Sequence, residues 1–363
     1  MATNTVKQHY LPCVLLSRFG FGDGRDALVW VWDKETGRTW RSKVSAVAFQ
    51  NDLYTLPEEA LHEVEEPDWF PEKYRGARTW EAMFGDLELA FGRVMDSAQS
   101  KLSLPLAGSE PFDLLLRMLV IFEMRTPAHM ELMRQQVELF SNMWAKIEVD
   151  RHPDAPEAGT TPRLTLPFDQ NKHILFAQSM QHWEQIVELH HRRNWSLWVS
   201  PDVDFVIADY PVSRCFARPP NHPFDSPAPA TPNTLFMLPL GRGLMMAGDD
   251  KLRGATRLAP PRLAAYHNSL SLANAERFIY TFRDSFPVLW WEGSGYALQV
   301  IRGEQSVIIS VDRREFTRLA QLGELKKPTR WGVHCEGELA DLVPPEHRIP
   351  TDDLARDAQR NSS

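Results

Sequence analysis

The chain has 363 residues, 43% of them hydrophobic, and a formal net charge of −8. That apolar share excludes wholesale disorder, and the acidic balance argues against a nucleic-acid coat, which needs clustered Lys and Arg to displace counterions. It leaves room for a nucleic-acid enzyme with a local basic cleft.

The first elements read as β. Ala27-Leu28-Val29-Trp30-Val31-Trp32-Asp33 is apolar and rich in strand formers, Lys34-Glu35-Thr36-Gly37 is a turn, and Arg38–Val44 returns as the second arm of a hairpin. The period then becomes helical. Met83, Leu87, Phe91 and Val94 line one face of a helix expected from Trp80 to Leu102, capped by Thr79 and closed by Pro105, Gly108 and Ser109. A second helix starts after Glu110-Pro111 and turns Leu115, Leu119 and Phe122 inward. Arg125-Thr126-Pro127 interrupts it. Pro127 disfavours helix at Thr126, and Thr126 suits the cap of a next helix, Ala128 to Ile147; two helices with a break or one kinked helix both fit.

Residues 151–168, rich in Pro, Gly, Ala and Thr, read as a surface loop or hinge. Next come a helix from His173 to Arg193 and two strands, Trp195–Val199 and Phe205–Ala208, joined by Ser200-Pro201-Asp202-Val203-Asp204. A Pro-rich loop at 217–233 precedes short strands Leu235–Leu238 and Leu244–Ala247. A helix from Arg262 to Tyr280 and a terminal hairpin of Tyr296–Ile301 and Ser306–Val311 complete the pattern. The expected architecture is α+β, with an N-terminal β-hairpin, central helices and a mixed or antiparallel sheet. Parts 1–150 and 169–343 pack as one domain, and 344–363 is a flexible tail.

Three cysteines, Cys13, Cys215 and Cys335, are too few and too scattered for a disulfide scaffold and suggest a reducing compartment. The N-terminus lacks the basic-then-apolar pattern of a signal peptide, and Leu114–Phe122, broken by Arg117, is too short to span a bilayer. A cytoplasmic protein with no membrane partner is expected. The sequence has no P-loop, GxGxxG, HExxH or GxSxG. Adjacent His190 and His191 point to different helix faces and make a poor metal pair, so zinc at this pair is not expected; the sequence names no cofactor, and a divalent cation elsewhere is open. The twelve tryptophans fit packing better than a stacking platform for bases or sugars.

Four local features carry candidate chemistry. His9 and Tyr10 lie just before Pro12, and a histidine suits acid–base work or, equally, anchors a strand by hydrogen bonding. Arg125 ends an apolar helix, where a guanidinium is costly unless it meets an anion, Glu123, Glu131 or a helix-end carbonyl. Asp209 follows the apolar run Phe205-Val206-Ile207-Ala208, a place for a functional side chain or for a turn-forming Asp. Asn268 and Arg277 fall on the late helix.

These residues resemble a known pattern. His9-Tyr10-Leu11-Pro12 followed by Leu16-Ser17-Arg18-Phe19 is similar to the opening of the bacterial and fungal domain-of-unknown-function family numbered 4238. Val29–Arg41 resembles its aromatic hairpin, Ser45–Tyr54 the segment after it, the helix carrying Glu88 its acidic helix, and Arg125-Thr126-Pro127 its Arg-Thr-Pro break. Ala208-Asp209-Tyr210-Pro211-Val212 resembles its Ser-Asp-Asn-Pro-Val strand end, departing at the Ser and Asn positions. Leu238-Pro239-Leu240 and Asn268–Tyr280 resemble its Pro-Leu strand and last helix.

The resemblance implies no reaction, substrate or cofactor; it adds weight to His9, Arg125 and Asp209. The function expected from these residue types is a hydrolase on a phosphodiester or other anionic substrate, nucleic acid included. His9 would be its acid or base, Asp209 would orient His9 or bind a divalent cation, and Arg125 would hold the anion. Tyr10, Arg18, Asn268 and Arg277 would contact substrate. The alternative is a non-catalytic binding or regulatory module in which the same residues tie the β part to the helices.

Overall fold

The first elements among the described residues are strand β1 (Lys7–His9) and one helical turn, α1 (Cys13–Leu16). The computed structural model describes residues 7–55, 72–74, 80–151, 165–166, 168–217, 225–252, 256–291 and 296–302. The expected hairpin forms from β2 (Leu28–Asp33) and β3 (Thr39–Lys43), with Val31 opposite Trp40 and Gly37 at φ 68 in the turn. Asp33 fastens that turn by accepting the N–H groups of Glu35 and Thr36. β4 (Phe49–Asn51) pairs back onto β1.

Helices α2 (Glu81–Lys101), α3 (Glu110–Met124) and α4 (Pro127–Arg151) follow. α3 is buried over most of its surface because α2, α4, α5 (Phe168–Gln181) and α6 (Trp183–His191) all pack against it. Arg117 is one of its polar positions; it pairs with Asp113 and Glu184. The break between α3 and α4 works as the residues dictate. Thr126 accepts the His129 N–H on its hydroxyl, and Pro127, which lacks an N–H, occupies the first helical position. The single helix expected at 173–193 is instead two, α5 and α6, because the chain leaves helical geometry at His182. Thr79 and much of the proline-rich 151–168 segment lie outside the described residues.

The second half contributes β5 (Asn194–Val199), β6 (Ile207–Ala208), β7 (Ser213–Phe216), β8 (Thr234–Gly241), β9 (Leu244–Asp249), β10 (Thr256–Leu258), α7 (Pro261–Asn274), β11 (Phe278–Thr281), β12 (Ser285–Trp291) and β13 (Tyr296–Arg302). One sheet runs β10-β5-β9-β8-β7 and is mixed, since β10 joins β5 in parallel. A four-stranded sheet runs β3-β2-β11-β6 and is antiparallel. β5 and β6, adjacent in sequence, therefore sit in different sheets and do not pair. The late helix ends at Asn274, short of Tyr280, and the chain returns as β11 between β2 and β6. β13 pairs with β12; the strand expected at 306–311 lies outside the described residues, as does the 344–363 tail.

The largest apolar cluster draws on both halves of the chain, from Leu11, Phe19 and Val31 through α3 to Trp195, Leu238 and Tyr280. Trp32, Trp195 and Trp198 are buried, as packing requires, while Trp40 stays 38% exposed. Among the described residues, no helix is long and apolar enough to cross a membrane.

Two substitutions test this packing. A Cβ at Gly248 would lie 2.5 Å from the indole of Trp195, its partner across the β5–β9 ladder. Gly248→Ala should therefore cost about 1–3 kcal/mol, read as a lower denaturation midpoint at unchanged slope. His190 is fully buried against Phe236 and Trp195, and neither ring nitrogen has a hydrogen-bond partner among the described residues. Desolvation, helped by Arg193, lowers its pKa to about 3. The unfolded chain binds the proton first, so His190 withdraws stability as pH falls from its ordinary value of 6.5 toward 3. His190→Leu should gain stability relative to wild type over that window, by up to about 1.4 kcal/mol per pH unit, in melts at stepped pH.

Candidate functional site

The C-terminal end of α3 places Arg125 in the interior with no exposed surface. Its Nε donates to the Tyr10 carbonyl at 2.7 Å and its Nη1 to Glu88 of α2 at 2.7 Å. The guanidinium also lies over the rings of Phe84 and Phe122, at 5.4 and 5.3 Å. Its Nη2 is buried and has no hydrogen-bond partner among the described residues. Glu88 remains 24% exposed, so the ion pair reaches from the core to the surface.

His9 ends β1 one residue before that carbonyl. Its ring packs on Phe49, centroids 5.7 Å apart, and its own carbonyl accepts the Tyr54 hydroxyl. Burial lowers its pKa to about 4, with the charges of Arg25, Arg125 and Lys7 acting the same way. The ring is therefore neutral near pH 7, and its Nε2 is buried without a partner among the described residues. Cys13, Glu81, Glu88 and Arg25 share this neighbourhood. Burial raises the Cys13 thiol against the opposing charges of Arg25 and Arg125, and Glu88 joins burial in raising the Glu81 carboxyl.

Asp209 holds a different place. Its carboxylate accepts the main-chain N–H groups of Glu276, Arg277 and Phe278 at 2.9, 2.7 and 2.8 Å. Burial raises its pKa, and these three donors oppose the rise. Asp209 thus fixes the turn from α7 into β11, and no hydrogen bond joins it to His9. The connection between them is indirect. Tyr10 and Tyr280 meet hydroxyl to hydroxyl at 3.3 Å, and both phenols are raised by burial and by the Asp209 charge.

The other predicted contacts are framework. Asn268 accepts the Val206 N–H and donates to the carbonyls of Asp204 and Pro287, each at 3.0 Å, which occupies both of its donors. Arg277 lies on the β11 side of the turn, not on the helix, and pairs with Asp33. Arg18 pins α2 through Gln99, the Gly92 carbonyl and Asp96. So the structure brings His9, Tyr10 and Arg125 together and leaves Asp209, Asn268, Arg277 and Arg18 in separate networks.

Residue types alone did not single out the partner of Arg125. Glu123 and Glu131 are nearer in sequence, but Glu123 turns toward Arg214 of β7 and Glu131 toward Arg134. Glu88 was marked by its place in the acidic helix. Among the described residues, no group of three or more His, Cys, Asp or Glu could hold a metal ion.

The role of Asp209 is measurable. Asp209→Ala leaves three main-chain donors without their acceptor and should cost about 3 kcal/mol in denaturant unfolding. Asp209→Asn keeps one or two of those bonds and should fall between that variant and wild type.

No curated protein and no solved structure matches the chain. From residue 7 to residue 285 it matches one family pattern, most of its 363 residues. The chain belongs to that family, described as Protein of unknown function (DUF4238).

Proposed function

We propose that this protein is a cytoplasmic hydrolase of a phosphodiester or other anionic substrate, nucleic acid included, with Arg125 as anion receptor and His9 as base. One observation carries the reading. His9 Nε2 and Arg125 Nη2 are buried in one neighbourhood, and neither has a partner among the described residues. Leaving a buried guanidinium N–H unmade is costly, and an anionic substrate removes that cost. The anion also offsets the Arg125 charge that depresses His9, so the ring becomes more basic once substrate is present. His9 Nε2 then takes a proton from water, the water oxygen bonds to phosphorus, and the ester P–O bond breaks. Glu81, whose carboxyl is raised by burial and by Glu88, supplies the proton to the departing oxygen. In this reading Asp209 supports the site through the β11 strand that carries Tyr280.

The test is hydrolysis of bis(4-nitrophenyl) phosphate and of single-stranded oligonucleotides by the full chain, with and without added magnesium. His9→Gln should lower kcat by about 100-fold or more at an unchanged melting temperature. Arg125→Lys should raise KM and lower kcat together, because an ammonium cannot reproduce the fork. Turnover by His9→Gln equal to that of wild type, or no turnover of any of these substrates by wild type, removes the proposal.

A different observation favours a non-catalytic binding or regulatory module: Asp209, Asn268, Arg277 and Arg18 are all committed to the framework. Under that reading His9→Gln and Arg125→Lys lower the melting temperature together, and no substrate is turned over.

A further inference from the structure

Helix α4 turns an apolar stripe outward. Of its 25 residues only Met130 is buried. Leu132, Leu139, Phe140, Met143 and Trp144 are each between 43% and 66% exposed. Their spacings of three, four and seven set them on one face, over about 18 Å of helix. The opposite face is the one that is held. Arg134 and Glu138 lie roughly 160° from the middle of the stripe, at about 100° per residue. Arg134 donates to Glu131, Glu138 and the Leu166 carbonyl, and Glu138 accepts the Leu166 N–H at 2.5 Å. The helix is thus docked by its charged side, the reverse of a helix whose apolar face completes the core of its own chain. A surface helix draws most of its stability from an apolar face packed against something.

Size and charge say what that something is. Half-exposed side chains of this kind present on the order of 100 Å² each, so the five present on the order of 500 Å². Two such faces together bury on the order of 1,000 Å², the threshold of a specific interface. The stripe itself carries no charge, so two copies of it meet without like-charge repulsion. A lipid surface is a poorer match, because interfacial helices are rich in Lys and Arg, whereas α4 has four acidic and three basic residues in a chain of net charge −8. Along one flank of the stripe, Glu131 stands near its first end and Lys146 near its last. In an antiparallel pair of identical helices each flank meets its own copy. Lys146 of one chain then comes opposite Glu131 of the other, twice about a two-fold axis, and the same register sets Leu132 beside Trp144.

We propose that α4 is a self-association surface, on which a second copy of this chain packs its own α4 antiparallel. The stripes from Leu132 to Trp144 form the buried centre, and Glu131 and Lys146 set the register at the rim. The dimer stands whether or not the His9–Arg125 site turns over a substrate.

Sedimentation velocity of the full chain over a loading series of about 1–100 µM tests this, the range in which an interface of this size dissociates. The wild-type chain should pass from monomer to dimer mass. Leu139→Lys combined with Phe140→Lys should stay monomeric throughout and keep its melting temperature at the lowest loading, because both side chains are exposed. Lys146→Glu should weaken the dimer about threefold or more, and Lys146→Glu with Glu131→Lys should restore it. A wild-type chain that remains monomeric overturns the proposal, as does a dimer that the double lysine variant leaves intact. A monomer that floats with vesicles of phosphatidylcholine and phosphatidylserine assigns the stripe to lipid and overturns it too. Should the double lysine variant fail to fold, the charge swap decides. Restoration supports the antiparallel pair, and a swap that binds no tighter than Lys146→Glu overturns it.

Discussion

A buried guanidinium holds the N-terminal strand, α2 and α3 in one arrangement. Arg125 has no exposed surface, yet it bonds the Tyr10 carbonyl, the Glu88 carboxylate and the faces of two phenylalanines at once. Such a charge is tolerated only where its partners are fixed in advance, because each lost bond would leave an unpaired donor in the core. Fixing them constrains the surroundings. β1 must end where Tyr10 can present its carbonyl, α2 must turn Glu88 inward, and α3 must stop at residue 125. The break at Thr126-Pro127 supplies that stop.

From this anchor the order spreads through tyrosines and carboxylates. Tyr10 touches Tyr280, Tyr280 pairs across β11 with Val31 and Ile207, and Asp209 holds the start of β11 by three N–H groups. A sheet built from strands 28–33, 39–43, 207–208 and 278–281 needs such ties, because its strands come from both ends of the described chain and closing those long loops is entropically costly. Asn268 repeats the device for α7 by satisfying three main-chain groups with one side chain. The polar residues that look like chemistry in the sequence divide accordingly. Most complete the backbone's hydrogen bonding, and a few retain unmet atoms.

Those unmet atoms mark the candidate site at His9 with Arg125. A buried arginine with an unmet donor beside a neutral histidine is a local concentration of positive charge that the overall charge of −8 conceals.

Much of the local order was legible in the residues. The β2–β3 hairpin, the three central helices and the Thr126 cap follow from strand formers, a Gly in the turn, helical spacing and the Thr-Pro pair. What the sequence could not determine was partnership across distance. Phe205–Ala208 looks like the mate of Trp195–Val199, but the two strands belong to different sheets. Asp209 looks like a catalytic orienter, and only the fold brings the N–H groups of residues 276–278 onto it. Arg277 reads as helical because the apolar period runs on past Asn274; the pairing of β11 with β2 and β6 ends that helix early. Glu88 and Arg214 become the partners of Arg125 and Glu123 because helix packing, not sequence spacing, decides which charges face each other. Local propensity acts over a few residues and is written in the chain, whereas the choice of ion pair and sheet neighbour is made by the shape of the closed core.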